Sequence, residues 1–168
     1  MTNMCTAAAN YIIDQVNEYN TGKTLREQVL MSSKRLQKIL YFSEILYMVE
    51  HEGRSMFTDD FYAWPSGPVI PSVYRKFMQY QDGQMHPYLG EVHDTIDGEM
   101  KDTINRVLDN TKDVGTSTLI NESHVPGGPW HLVYDESDTE YTHVVDKAMV
   151  VKYYSKHGAP YGKTTSIN

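Results

Sequence analysis

Apolar residues recur at helical spacing along most of the chain, with polar breaks between the runs. Ala8, Tyr11, Ile12, Val16 and Tyr19 predict a first helix over about 6–19, stopped by Asn20, Thr21 and Gly22. A short helical piece over 24–30 follows, with Leu25, Val29 and Leu30 on its apolar side. Leu36, Ile39, Leu40, Phe42, Ile45, Leu46 and Val49 then cover more than half the circumference of a helix over about 34–52. A helix apolar on so many sides is central, with neighbours all round. Ser32 or Ser33 supplies the hydroxyl that caps its start, and Gly53 ends it in the left-handed conformation that glycine tolerates. Its length is roughly 27 Å at the α-helical rise, the width of a small domain.

Beyond this spine the pattern changes. Residues 57–64 read as extended. Pro65 biases Trp64 away from helical dihedrals, Gly67 permits a tight turn, and Pro68 fixes its own φ. Pro71 opens a helix that carries Val73, Tyr74, Phe77, Met78 and Tyr80. A loop over 81–90 precedes a helix capped by Asp94 or Thr95, with Ile96, Met100, Ile104, Val107 and Leu108 inside. A short helix over 117–124 follows Gly115, and a turn cluster at 125–129 leads to Trp130. Thr142 caps a last helix carrying Val145, Ala148, Met149, Val151 and Tyr153, which Gly158 ends. Residues 159–168 read as a flexible tail. The predicted fold class is mainly α: a single compact helical domain over 1–158 around the central apolar helix. It has at most a short β-hairpin-like element near 57–64, with strands around Phe61 and Leu132.

Composition narrows the function. The chain has 168 residues, enough for one domain with a real core. A net charge of −7 and a pI of about 5.4 argue against a nucleic-acid binder and favour a basic partner. The one cysteine, Cys5, precludes an intramolecular disulfide and a cysteine-rich zinc site, and reads as an incidental thiol near a flexible terminus. The first residues lack a basic, then apolar, leader pattern, and no run approaches the roughly 20 apolar residues of a bilayer span. A cytoplasmic protein with no membrane partner is expected.

Candidate chemistry is sparse. The seven histidines are scattered, without a His-Glu-x-x-His pair. His124 and His131 straddle a turn, but no third metal ligand is evident. No nucleophile elbow or phosphate-cradling loop is present. No catalytic, metal-binding or cofactor-binding set is therefore assigned. His124 reads as a hydrogen-bonding residue that fixes the loop before Trp130. Trp64 is either an interface anchor on a rigid corner or a core residue plugging the end of the spine; its size favours the core. Lys34, Arg35 and Lys38 either attract an acidic partner or phosphate, or form a solvated helix face; the second is the plainer reading, with a nearby acid offsetting the helix dipole. Two acidic stretches, one with Asp82, Glu91, Asp94, Asp97, Glu99 and Asp102 and one with Asp135, Glu136, Asp138 and Glu140, suit either a mask for a cationic partner or plain soluble surface. Thirteen tyrosines, among them Tyr11, Tyr41, Tyr47 and Tyr74, serve interfaces or the core edge.

Three ordered pieces carry a family likeness. They are Arg35-Leu-Gln-Lys-Ile-Leu-Tyr-Phe42; Phe61-Tyr-Ala-Trp64 with Gly67-Pro-Val69 and Pro71-Ser-Val-Tyr74; and Ser123-His124 with Pro129-Trp130. Together with the closing helix they resemble the Panacea, or SocA-like, antitoxin domain. Pro65-Ser66 and Gly127-Gly128 depart from the family pattern. The resemblance implies an antitoxin that binds and silences a toxin encoded beside it, often in prophages. Lys38, Tyr41, Trp64, Gly67, Pro68, Val69, Tyr74, His124 and Trp130 are the motif and interface candidates. The expected function is a non-enzymatic, protein-binding module that occludes a cognate toxin. One alternative is a small hydrolase or metal-dependent enzyme using His124 and nearby carboxylates. Another is a proteolytic adaptor or regulator, with protease machinery as a second partner. A homo-oligomer is compatible with either.

Overall fold

The computed structural model describes residues 3–80 and 84–164. Seven α-helices, a 3₁₀ turn at Leu25–Glu27 and a small sheet follow one another among them. The helices are α1 (Met4–Asn20), α2 (Ser33–Glu50), α3 (Pro71–Phe77), α4 (Gly98–Thr111), α5 (Thr116–Ser123), α6 (Pro129–Val133) and α7 (Lys147–His157). The strands are β1 (Phe61–Trp64), β2 (Gly67–Val69) and β3 (Val144–Val145), antiparallel in the order β2-β1-β3. The protein is mainly α with a short β element.

The spine is α2. Every residue from Arg35 to Met48 is buried, and the helix packs against α1, α3, α4, α5, α7 and β2. Ser32 caps it, its hydroxyl accepting from the Arg35 amide at 3.1 Å. Helix α2 gives way at Glu50, and Gly53, at φ +85°, donates its amide back to Met48. The core gathers Ile12 and Ile13 of α1, Ile39, Leu40, Phe42 and Ile45 of α2, Phe61 of β1, Val73 and Phe77 of α3, and Ile104 and Val107 of α4.

Pro65 and Ser66 join β1 to β2, with Trp64 opposite Gly67 and Tyr62 opposite Val69. Pro65 pre-sets the first corner and Gly67 takes φ +108°, which a residue with a Cβ rarely adopts. Alternation along β1 turns Phe61 and Ala63 inward and leaves Tyr62 and Trp64 half-buried on the outer face.

Several expectations are corrected. The partner of Phe61 is Val145, not the region of Leu132, which lies on α6 and is 62% exposed. A two-residue strand is too short to announce itself by alternation, so Val145 read as helix. Helix α7 accordingly starts later, capped by Asp146 rather than Thr142, whose amide and hydroxyl bond Asp138 instead. Asp97, not Asp94 or Thr95, caps α4. The piece over 24–30 is only one 3₁₀ turn, with Leu25 and Leu30 exposed. Pro129 opens the helical turn α6, in place of the expected turn cluster running into a strand around Leu132. Cys5 is not an incidental thiol: it lies in α1, 3% exposed, and burial beside Asp59 raises its thiol pKa to about 11.

The start of the segment read as a tail is bound. Tyr161 sets its ring edge-on to Phe42 at 5.2 Å and donates its hydroxyl to Glu122, and Asn110 donates to the carbonyls of Tyr161 and Lys163. Residues 165–168, and Gln81, Asp82 and Gly83 of the loop over 81–90, lie outside the described residues.

Candidate functional site

The polar residues of α2 are its most unusual feature. Arg35, Gln37, Lys38 and Glu44 are all buried, so the basic cluster is not a solvated face. Lys34 alone of the three cations is exposed. The reason is the all-round packing of α2, which leaves no side of the helix to water from Arg35 onward.

Arg35, Gln37, Lys38 and Glu44 each bond to backbone. Arg35 donates through Nη2 to the Thr111 carbonyl (2.7 Å) and through Nη1 to that of Val114 (2.8 Å), tying the end of α4 to the start of α2. These carbonyls take the place of the acid expected near the helix start. Gln37 exchanges two bonds with Ile70, accepting from its amide at 2.8 Å and donating to its carbonyl at 3.3 Å. Glu44 accepts from the Met56 amide at 2.7 Å and pairs with Lys147 at 3.0 Å. Burial raises the Glu44 pKa, while Lys147 and the two amides of Met56 and Phe57 pull it back.

Lys38 is the centre. It is 0% exposed, and its Nζ donates to the Pro68 carbonyl at 3.0 Å. Burial, then repulsion from Lys34, lowers its pKa to about 7. The hairpin lies directly on this amine. A Cβ at Gly67 would fall 2.6 Å from Lys38 Cε and 2.5 Å from Ser123 Oγ. Gly67 is therefore required twice, by its φ and by this close approach.

Three rings close the far side of the corner. His124 stacks on Trp130 (centroids 3.8 Å, 6° between planes), and Trp130 stacks on Tyr134 at 4.5 Å. The indole Nε1 of Trp130 donates to the Trp64 carbonyl at 2.8 Å, joining α6 to the end of β1. Burial and the Lys38 charge lower the His124 pKa, against a contact with the Ser66 backbone. His131 separately accepts from the Gly127 amide. Among the described residues no three of His, Cys, Asp and Glu converge as a metal site.

Of the nine sequence candidates, Lys38, Gly67, Pro68, His124 and Trp130 meet in this knot. Val69 is buried in β2, and Tyr41 packs inside against Phe42 and Phe61. Trp64 is not a core plug. Its ring is half-buried on the outer face of the sheet, edge-on to Tyr74 at 5.1 Å and beside Tyr141 at 6.1 Å. Gln37 and Glu44 were missed, although a polar residue inside an apolar run of α2 was the available signal.

The family model for the antitoxin SocA-like Panacea domain matches residues 36–131, from the first turn of α2 to α6. The chain belongs to this family. The match takes in Lys38, Gly67, Pro68, Ser123, His124 and Trp130. Antitoxin SocA of Caulobacter vibrioides (strain NA1000 / CB15N) is 30% identical over 139 residues, covering 76% of this chain and 68% of that protein. No solved structure matches significantly. Within the Panacea domain, the lysine-led helix, the Gly-Pro hairpin and the Ser-His and Pro-Trp pairs are thus one packed unit.

Proposed function

We propose that this chain is the antitoxin of a toxin–antitoxin pair, and that it neutralises a cognate protein toxin by binding it and covering its active region. Membership of the SocA-like antitoxin family carries this reading, supported by the relative named as an antitoxin across most of both chains. The buried polar groups around Lys38 support it physically. They hold the 64–69 corner by bonds to backbone, so its contour exists before a partner arrives. A preformed surface loses less entropy on association and converts more of its buried area into affinity. A complex of this kind buries about 1,600 Å² in total.

No catalysis is needed in this mechanism. The Lys38 amine is committed to a carbonyl and His124 to a ring stack, so the site positions chain rather than substrate. We infer a soluble protein acting in the cytoplasm; no helix among the described residues is long and apolar enough to cross a membrane.

The test is co-expression with the adjacent open reading frame. Expression of that frame alone should arrest growth, and this chain should restore it and co-purify with the product. Arrest that persists despite soluble chain would overturn the proposal.

A further inference from the structure

One surface combines half-buried rings with exposed carboxylates. Tyr74, Trp64, Tyr141, Tyr134 and Trp130 follow one another from α3 across β1 to α6. Trp64 touches Tyr74 and Tyr141, Trp130 donates its indole N–H to the Trp64 carbonyl, and Tyr134 stacks on Trp130. Four of these rings are half-buried, Trp130 alone being buried. Tyr141 is held at φ +52°, in the left-handed region that a bulky residue seldom occupies.

The loop beside the belt is acidic and already folded. Asp135 accepts from the amide and hydroxyl of Ser137. Asp138 accepts from the amides of Glu140 and Thr142 and the Thr142 hydroxyl. These donors hold both carboxyls below their ordinary pKa, so they stay charged. His143 lies 3.6 Å from Asp138, and no ion pair reaches Asp135, Glu136 or Glu140 among the described residues. Tyr134 directly precedes Asp135, Tyr141 directly follows Glu140, and the Tyr141 amide donates to the Asp138 carbonyl at 3.3 Å, so the turn holds acids and rings on one stretch of surface.

The other acidic stretch behaves differently. Asp94 accepts from the Asn3 amide, Asp97 caps α4, and Glu91 pairs with His93. Glu99 meets His51 and Arg54, and Asp102 lies within 3.9 Å of Arg106. Each of those acids meets a partner within the molecule, whereas Glu136 and Glu140 of the loop after α6 meet no ion-pair partner among the described residues.

We propose that the Trp64–Tyr141–Tyr134 belt and the Asp135–Glu140 carboxylates form the docking face for an arginine-bearing protein surface. A guanidinium is planar and weakly hydrated, so it stacks on an indole or phenol while its edge forks onto a carboxylate. Lysine, a strongly hydrated point charge, exploits only the second half of such a site. The ring-plus-carboxylate juxtaposition therefore selects arginine, and the net charge of −7 steers a basic partner toward it. The toxin as occupant rests on the antitoxin reading; the chemistry of the face does not.

Two measurements decide it. In the first, the co-expressed product of the adjacent reading frame is titrated with the wild-type chain, Trp64→Ala, Tyr141→Gly and the double variant Glu136→Lys/Glu140→Lys. Thermal unfolding verifies each fold; glycine relieves the left-handed strain at position 141. Trp64→Ala and Tyr141→Gly should each weaken binding by about tenfold or more. The double charge variant should slow association by about tenfold at low salt and much less at high salt. Wild-type binding that folded variants all retain would overturn the face and leave the antitoxin reading standing. In the second, tryptophan fluorescence follows titration with short peptides alternating glycine with Arg, Lys or Glu. The Arg peptide should bind tightest, the Glu peptide not at all, and Trp64→Ala should abolish the preference. Equal response to the Arg and Lys peptides would overturn the proposal even if the neighbouring product never binds, an outcome that would instead sink the antitoxin reading for that pair.

Discussion

The Nζ of Lys38 lies 3.0 Å from the carbonyl oxygen of Pro68, and the same side chain occupies the space that a Cβ on Gly67 would need. Helix α2 and the hairpin thus meet at backbone distance. Any group added between them displaces an amine that has no other place to go.

Gly67→Ala should therefore be costly. The new methyl meets Lys38 and Ser123, and the residue must also hold φ +108°. The loss should be about 2–4 kcal/mol from strain and overpacking together. Chemical denaturation measures it, and a loss below that of an ordinary surface substitution would show that the hairpin can lift from α2.

Lys38 also makes stability depend on pH. Its pKa is about 7 folded against 10.5 in an unfolded chain, so between those values the unfolded state binds the additional proton. Stability should rise with pH from about 7 toward 10, where this penalty fades. Lys38→Met should remove that rise while keeping the fold. Denaturation midpoints of both proteins across this range check the sign: parallel curves would place the Lys38 proton elsewhere.

Lys147→Met leaves Glu44 buried beside two amides without its cation. At neutral pH the cost should be about 3–5 kcal/mol, as for other broken buried pairs. The raised folded pKa of Glu44 means that the folded form holds its proton more strongly than the unfolded chain. Acidification toward the Glu44 pKa should therefore restore part of the variant's stability relative to wild type. A deficit unchanged between neutral and mildly acidic buffer would refute this.

Cys5 should be silent toward thiol reagents in the native protein. It is buried in α1 and its thiol pKa is raised to about 11, so little thiolate is present and none is accessible. Labelling should proceed only in denaturant, and its rate at low denaturant should track unfolding. Fast native labelling would show that α1 detaches locally.

The legible and illegible parts divide by range. The central helix was readable because apolar residues from Leu36 to Val49 cover more than half its circumference, a local property. The 64–71 corner was readable because Pro65, Gly67, Pro68 and Pro71 restrict their own dihedrals. Trp64 was misplaced because its size says only that it is worth burying; the pleat of β1 sends Phe61 and Ala63 inward and leaves it outside. Arg35 and Lys38 were misread because charge on a helix is ordinarily solvated. Only the packing of β2, α4 and α5 around α2 removes the water, and carbonyls 76 and 30 residues away replace it.

By itself, then, the amino-acid order determined the helical class, the spine and the rigid corner, since propensity, periodicity and φ restriction act over a few neighbouring residues. The tertiary structure alone decided which polar groups lie inside, that Cys5 is core, and that the acids of one stretch are paired or capping while Glu136 and Glu140 stand without an ion pair beside a belt of rings. Those outcomes depend on partners far away in the chain, and burial, electrostatics and ring contact are properties of distance in space.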